Sequence, residues 1–217
     1  VQMSRAGEVL RALEGPFDPV PRADVEVDFD LEWDDDNRIY LWGLLVTAAG
    51  DSTIRSQYSW QPLDDTEEAA LAARGIGALI NLLRQAESRG QSFRVYHYSH
   101  PEISKVRRLL ERGDPGLPTM EWWEAFTATH FVDLLPLVKQ RFFGLKGLGL
   151  KVVAQEAGFS WDEDEPSGAQ TFEWILQARS AGDDAERDAA RERLLRYNGD
   201  DVRATLAVRE WLMGTSN

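Results

Sequence analysis

Cysteine is absent from this sequence of 217 residues. Its absence excludes disulfide frameworks, thiolate zinc sites and thiol nucleophiles, and it is typical of proteins in a reducing compartment. The sequence also lacks any apolar run near the roughly 20 residues that span a bilayer, and no basic and then apolar signal segment opens it. We therefore expect a cytoplasmic protein that does not associate with membranes.

Positive charge is also in short supply. The 37 acidic residues outnumber the 24 basic ones, so the net charge is −13. An acidic surface repels nucleic acids and anionic lipids at long range, which argues against a protein that binds polyanions. The argument weakens where several acids form one cluster, because a bound divalent cation reverses the local field.

Length and composition predict one folded domain. Hydrophobic residues make up 43% of the chain and charged residues 28%, which excludes a disordered polypeptide. A short helix is expected at residues 1–13, and residues 15–21 are typical of a linker. We divide the sequence into an N-terminal extension at residues 1–22 and a domain at residues 23–214.

An antiparallel meander opens this domain. Apolar and acidic residues alternate through residues 25–33, residues 39–47 are almost wholly apolar, and residues 54–60 alternate again. We then expect a short helix around Trp122, strands at residues 93–98 and 131–133, and helices at residues 65–88, 101–112, 134–141, 148–157, 169–180 and 184–213. This order predicts an α/β fold with a mixed sheet.

The first strand carries a row of carboxylates. Asp28, Asp30 and Glu32 project from one face, because side chains two residues apart share a face of a strand. A solvated face of an edge strand would account for this row. A central strand, which the apolar second strand favours, would need cations to neutralise it.

The last predicted helix carries an acid on its inward face. Leu194, Tyr197, Asp201 and Val208 share one stripe of this helix, whereas Asp200 is expected about 100° away, toward solvent. An inward acid needs a metal, or a hydrogen bond from an arginine or a backbone amide, and both alternatives stay open.

Further polar residues follow the fourth and fifth strands. Glu102 lies in the first turn of a helix, where ordinary helices also keep acids. His97 and His100 are weak candidates for metal ligands, and His130 has no companion in the sequence. Asp133 is expected to cap the helix that follows it rather than to bind a metal.

In this order, the acids resemble the motifs of a known family. Asp30-x-Glu32 on the first strand, Glu102 after the fourth, and Tyr197-x-x-x-Asp201 on the last helix resemble the tyrosine subclass of DEDD exonucleases, in the ribonuclease H-like superfamily. The segments FDLEWD, YHYSHPE, FVDLLPLVK, LGLKVVA and YNGDDVRATLAVREWL are similar to a predicted exonuclease domain found beside RecB-type nucleases and helicases. The resemblance extends from about residue 25 to about residue 212.

The resemblance implies a fold and a metal site. The fold is a ribonuclease H-like α/β domain: a mixed five-stranded sheet, its first three strands antiparallel, with helices on both faces. Asp30, Glu32, Glu102 and Asp201 are implied as ligands of two divalent cations, Mg²⁺ or Mn²⁺, about 4 Å apart, which activate a water and stabilise the leaving oxygen. Tyr197 is implied as the general base or water-orienting group, four residues before the last acid.

The activity implied is 3′→5′ exonucleolysis at single-stranded nucleic acid ends, DNA rather than RNA, in DNA repair or processing, with RecB-type nuclease or helicase domains as partners. Four bases are candidates for phosphate contacts, although solvated surface bases would account for each: Arg94, Arg107, Arg108 and Lys151. The family usually has Asp where this sequence has Glu102, so a non-catalytic nucleic-acid-binding or docking module with a degenerate metal site is the alternative.

Overall fold

The computed structural model describes residues 9–162, 168–180 and 182–214. In chain order, its elements are β1 (Leu10–Ala12), β2 (Val25–Trp33), β3 (Ile39–Ala48), β4 (Asp51–Tyr58), α1 (Asp65–Ser88), β5 (Phe93–His97), α2 (Pro101–Leu110), α3 (Met120–His130), β6 (Phe131–Asp133), α4 (Leu134–Arg141), β7 (Phe142–Gly144), α5 (Leu150–Glu156), α6 (Gly168–Ser180) and α7 (Asp184–Gly214). Within this described part, no helix is long and apolar enough to cross a membrane.

Five strands form one mixed sheet in the order β4-β3-β2-β5-β6. β2, β3 and β4 pair antiparallel, as the sequence predicts, and β5 and β6 extend the sheet in parallel, which makes it mixed. β2 is the central strand, and its register with β3 places Asp30 opposite Gly43. Because β2 is central, its acidic face lies under other elements rather than in open solvent.

Helices cover both faces of this sheet. The apolar side chains of β2 pack against α1, α2 and α3 in one core, which contains Phe29, Leu71, Val106 and Trp123. The opposite face packs against α4 to α7 in two further clusters. The long helix α7 therefore crosses the acidic face of β2, which brings the two acidic motifs of the sequence together.

α1 has a defined start and a close approach to the sheet. Asp64 caps the helix by accepting a hydrogen bond from the backbone of Glu67, and the Glu67 side chain accepts one from the backbone of Asp64 in return. Gly75 faces Trp42, and a Cβ at this glycine would lie 2.3 Å from a ring carbon. The missing side chain lets the helix backbone lie directly on the indole.

Arg209 neutralises the first half of the acidic row on β2. Its guanidinium donates to both carboxylate oxygens of Asp28, at 3.1 and 2.9 Å, and to Glu26 at 2.6 Å. Arg22 also pairs with Glu26. Burial raises the pKa of Asp28 to about 6, although Arg209 opposes this shift. Asp28 therefore lies on the same face of β2 as Asp30 and Glu32, as the sequence predicts, but a guanidinium of the protein neutralises it rather than a metal ion.

The N-terminal segment differs from the expected helix. Residues 1–8 lie outside the described residues, but Leu10–Ala12 forms a strand that pairs antiparallel with β7. Backbone hydrogen bonds from Leu13 to Arg141 and from Leu145 to Val9 extend this ribbon, so extended backbone replaces the expected helix there. Val20 is buried in a core cluster, so residues of the expected linker also contact the domain.

Candidate metal centre

Three carboxylates meet where α7 crosses β2. Asp30 and Glu32 project from the acidic face of the strand, and Asp201 projects from the helix. Each offers an oxygen that lies within 4.8 Å of the others. Asp30 is half-buried, and Glu32 and Asp201 are buried. The period of two in the strand and the inward stripe of the helix, both visible in the sequence, produce this convergence.

The charges of this cluster are unbalanced. Burial, and then the neighbouring charges of Asp201, Glu32 and Glu102, raise the pKa of Asp30 well above its ordinary value. Burial and the charges of Asp201 and Glu102 raise the pKa of Glu32 in the same way. Burial raises the pKa of Asp201 to about 6, against hydrogen bonds from Trp161 and Tyr197. Carboxylates that repel one another in a desolvated place favour a bound cation.

Glu102 is the fourth predicted ligand, and it lies next to the other three. It is buried in the first turn of α2, and burial together with the charges of Asp133 and Asp201 raises its pKa to about 8. Its Oε2 atom is buried and has no hydrogen-bond partner among the described residues. It does not belong to the group whose oxygens lie within 4.8 Å of one another. A buried carboxylate oxygen without a partner is suited to coordinate a cation.

Tyr197 lies one helical turn before Asp201, with which it shares a hydrogen bond. Its ring packs edge-on against Trp174, with 5.9 Å between the ring centroids. Burial and the charges of Asp201, Glu32 and Asp30 raise the pKa of the Tyr197 hydroxyl. The hydroxyl is therefore protonated at neutral pH in the metal-free protein.

Asp200 is buried, contrary to the sequence expectation that it faces solvent. Only 5% of it is exposed. Its carboxylate accepts hydrogen bonds from the backbone of Asp162 at 3.2 Å and from Arg203 at 3.0 Å. The chain after α5 lies over this side of α7, so a helix face that the sequence pattern assigns to solvent is covered. The helical period fixes the direction of a side chain but not what packs there.

Two polar contacts in this site were not predicted. Trp161 donates its indole N–H to Asp201 at 2.7 Å, and Asn198 donates its side-chain amide to Asp30 at 2.6 Å. The sequence holds one signal for the second contact: an isolated glycine, Gly43, in the otherwise apolar β3, which indicates a close approach of another group. No sequence signal marks Trp161, because its partner lies on another element.

Of the four bases proposed for phosphate contacts, the structure brings Lys151 to the cluster. Lys151 extends from α5, and its charge lowers the pKa of both Glu32 and Asp201. Arg94 donates to the carbonyl of Thr129, and Arg107 pairs with Glu124. Arg108 lines a separate charged hollow with Asp36, Arg38, Asp65, Glu68, Lys105, Glu111 and Arg112. Arg94, Arg107 and Arg108 therefore contact groups outside the carboxylate cluster.

Asp133 caps α4 as predicted, because its carboxylate accepts a hydrogen bond from the backbone of Leu135 at 3.0 Å. The same oxygen accepts another from the backbone of Ser99 at 2.8 Å. His97 is turned toward the carbonyl of Ser99, 2.6 Å from its Nδ1 atom. Neither His97 nor His100 belongs to the carboxylate group.

A cleft of about 450 Å³ opens beside the carboxylates. Asp30 and Glu102 line one part of it. The remaining wall is mostly apolar and carries one basic residue: Phe29, Tyr98, Ser99, Pro101, Leu135, Lys139, Leu148, Gly149, Leu150 and Thr205. A ligand in this cleft would reach the carboxylates from the side of α2 and α5.

The mixed sheet and the acids at the centre of β2 define a ribonuclease H-like α/β domain. A family model described as RNase_H superfamily matches residues 27–213. The chain therefore belongs to the RNase H superfamily. No curated protein and no solved structure matches it. Membership indicates nuclease-type hydrolytic activity, and nucleases of this superfamily generally use divalent metals.

Proposed function

We propose that this protein is a metal-dependent 3′→5′ exonuclease of the tyrosine-type DEDD class. It hydrolyses phosphodiester bonds at single-stranded nucleic acid ends, DNA in preference to RNA, and acts in the cytoplasm in DNA repair or processing beside RecB-type nuclease or helicase domains. One observation carries the proposal. Oxygens of Asp30, Glu32 and Asp201 lie within 4.8 Å of one another, beside a cleft of about 450 Å³.

The donor set fits hard divalent cations. Asp30, Glu32 and Asp201 would hold them, and the buried unpartnered oxygen of Glu102 is a fourth ligand within the same cluster of charges. Carboxylate oxygens without thiolate or imidazole suit Mg²⁺ or Mn²⁺ better than zinc. Such cations, when bound, supply an activated water and neutralise the charge that develops on the leaving oxygen.

The side chains around the carboxylates supply orientation. Tyr197 donates its one hydroxyl proton to Asp201, so its oxygen is left to accept a hydrogen bond from a water and orient it. Lys151 places positive charge beside Glu32 and Asp201, where a phosphate would approach. The apolar wall of the cleft can contact a base or a sugar, and Lys139 can contact a phosphate.

Release of mononucleotides from labelled oligonucleotides tests the activity. Single-stranded DNA and RNA of one sequence, labelled at the 5′ end, should shorten stepwise from the 3′ end in Mn²⁺ or Mg²⁺, DNA faster, and chelator should stop the reaction. Asp30→Asn should abolish it. Asp51→Asn is the matched control, because Asp51 is exposed on β4 of the same sheet.

Each part of the proposal has its own contrary result. Shortening of a 3′-labelled strand from its 5′ end would contradict the polarity, and faster loss of RNA would contradict the substrate preference. No cleavage of either strand, in either metal, by folded protein would contradict the activity itself.

The alternative, a non-catalytic nucleic-acid-binding or docking module, has one observation in its favour. Glu102 stands where the family usually has Asp, and its carboxylate is not among the three that meet within 4.8 Å. Under this alternative, fluorescence anisotropy would detect binding of single-stranded DNA that Mn²⁺ does not convert into cleavage. Cleavage by the native protein, reduced in Glu102→Gln, would exclude it.

A further inference from the structure

Asn198 lies between α7 and the first ligand of the proposed metal site. Only 1% of this residue is exposed. Its Nδ2 atom donates to Oδ2 of Asp30 at 2.6 Å, across 168 residues of sequence. Its Oδ1 atom is buried and has no hydrogen-bond partner among the described residues. A buried amide whose oxygen has no partner needs a reason, because the unpaired oxygen costs free energy.

Gly43 makes room for this amide. It pairs with Asp30 in the register of β2 and β3. A Cβ at Gly43 would lie 1.9 Å from Oδ1 and 2.7 Å from Cγ of Asn198, so any other residue would displace the side chain. Gly43 is not among the glycines with positive φ, so its backbone conformation does not require glycine. Space for Asn198 is the reason that remains, and it outweighs the weakening of a central strand by glycine.

The acids of β2 have partners of two different kinds. Arg209 is a cation, and it neutralises Glu26 and Asp28 within the protein. Asn198 is neutral, so it fixes the orientation of Asp30 without removing its charge. A cation in the place of Asn198 would satisfy Asp30 and compete with a metal ion. A neutral donor instead leaves the carboxylate charge available.

We propose that Asn198, seated over Gly43, is a positioning residue that holds the Asp30 carboxylate in its metal-binding orientation. This inference rests on the proposed function, because it concerns the same metal site. The amide donates to Oδ2 and limits rotation of the carboxylate, which leaves the other oxygen, Oδ1, available to a cation. Partners of this kind typically change metal affinity by about 10–100-fold when they are removed.

The test measures Mn²⁺ affinity of the full chain by calorimetry or electron paramagnetic resonance, together with the melting temperature in chelator. Asn198→Leu keeps the branched shape but removes the donor, and it should weaken Mn²⁺ binding about 10–100-fold. Gly43→Ala should weaken binding in the same range, because its methyl group takes the space of the amide. The double variant should be no weaker than the worse single variant, since both changes remove one interaction.

Gly77→Ala is the control for Gly43→Ala. A Cβ at Gly77, in α1, would meet no atom within 4 Å, and Mn²⁺ affinity should not change. A merely structural role for Asn198 would lower the melting temperature and leave Mn²⁺ affinity unchanged, and that result would overturn the proposal. If Asn198→Leu fails to fold, the double variant Asn198→Ala/Gly43→Ala replaces it. In this variant the methyl group of residue 43 fills the space that the Asn198 side chain leaves, and its Mn²⁺ affinity is compared with that of the native protein.

The two proposals fail in different ways. If the native protein does not bind Mn²⁺, or if Asp30→Asn binds it equally well, the metal site itself is wrong. If the native protein binds Mn²⁺, Asp30→Asn loses it and Asn198→Leu retains it, then only the positioning role is wrong.

Discussion

The indole N–H of Trp161 donates to the carboxylate of Asp201 at 2.7 Å. Trp161 belongs to the chain after α5, so this segment, and not only α7, determines how Asp201 is presented. The ring of Phe159 packs edge-on against that of Trp161, with the centroids 4.9 Å apart, and helps to hold it in place. The expected metal ligand is thus anchored by a residue 40 positions earlier in the sequence.

Trp161→Phe should weaken the metal site without unfolding the protein. The phenyl ring keeps part of the packing, but Asp201 loses a hydrogen bond that favours its charged form. We expect an increase of about 10-fold in the Mn²⁺ concentration at half-maximal cleavage, the low end of the range for partners of metal ligands. Trp122→Phe is the control, because Trp122 stacks on Phe126 in a different core. An unchanged Mn²⁺ dependence in Trp161→Phe would contradict this role.

Tyr197→Phe separates chemistry from metal binding. The change keeps the ring against Trp174 and removes the hydroxyl. Cleavage should fall by about 10²–10⁴-fold, the usual contribution of a positioned proton donor or acceptor, and Mn²⁺ affinity should be retained. Asp201→Asn should lose both, since it removes a ligand charge. Single-turnover assays with a Mn²⁺ titration distinguish the two variants, and equal cleavage by Tyr197→Phe and native protein would exclude the hydroxyl from the reaction.

Asp200→Asn should destabilise the protein, although a solvent-facing residue would tolerate it. The change removes the charge that Arg203 and the backbone of Asp162 contact. We expect a loss of about 1 kcal/mol in the free energy of unfolding, measured in urea. Asp188→Asn is the matched control on the same helix, because Asp188 forms an exposed pair with Arg191 three residues later. Equal unfolding energies for the two variants would show that burial of Asp200 has no energetic consequence.

Glu102 should make the metal-free protein less stable at high pH. Its folded-state pKa of about 8 lies above its ordinary value of 4.5, so the charged form destabilises the native state. In chelator, the melting temperature should therefore rise as the pH falls through about 8 and on toward about 4.5, the interval in which the folded protein holds the Glu102 proton and the unfolded chain does not. In Glu102→Gln, the melting temperature should change less with pH over this interval. Saturating Mg²⁺ should also reduce this change if Glu102 is a ligand, and a slope that persists in Glu102→Gln would assign the effect to other groups.

Arg209→Leu should be the most destabilising of these changes. It leaves Glu26 and Asp28 buried against α7 without their shared cation. Loss of one partner of a buried ion pair typically costs about 3–5 kcal/mol, which urea unfolding would detect. Asp28→Leu added to Arg209→Leu should recover part of the loss, because one uncompensated charge disappears. Arg203→Leu, at a half-exposed pair with Asp200, should cost less than about 1 kcal/mol of ion-pair energy.

The sequence by itself determined the features that depend on the periodicity of a strand or a helix and on the residues that cap a helix. Alternation placed Asp30 and Glu32 on one face of β2, the helical stripe placed Tyr197 and Asp201 together, and the acids after residue 63 gave the start of α1 at Asp65. The apolar β3 indicated that β2 is central. Together with the resemblance, these patterns were enough to predict a mixed five-stranded sheet with its first three strands antiparallel, and the meeting of the acids from β2 and α7.

Only the tertiary structure decided which distant groups meet. Arg209 neutralises Asp28 from 181 residues away, and Asn198 uses the space above Gly43 to reach Asp30. The burial of Asp200 and the pairing of β1 with β7 likewise depend on segments far along the chain. A periodic pattern gives the direction of a side chain relative to its own strand or helix. It contains no information on which element covers that side, because this depends on how remote segments pack together.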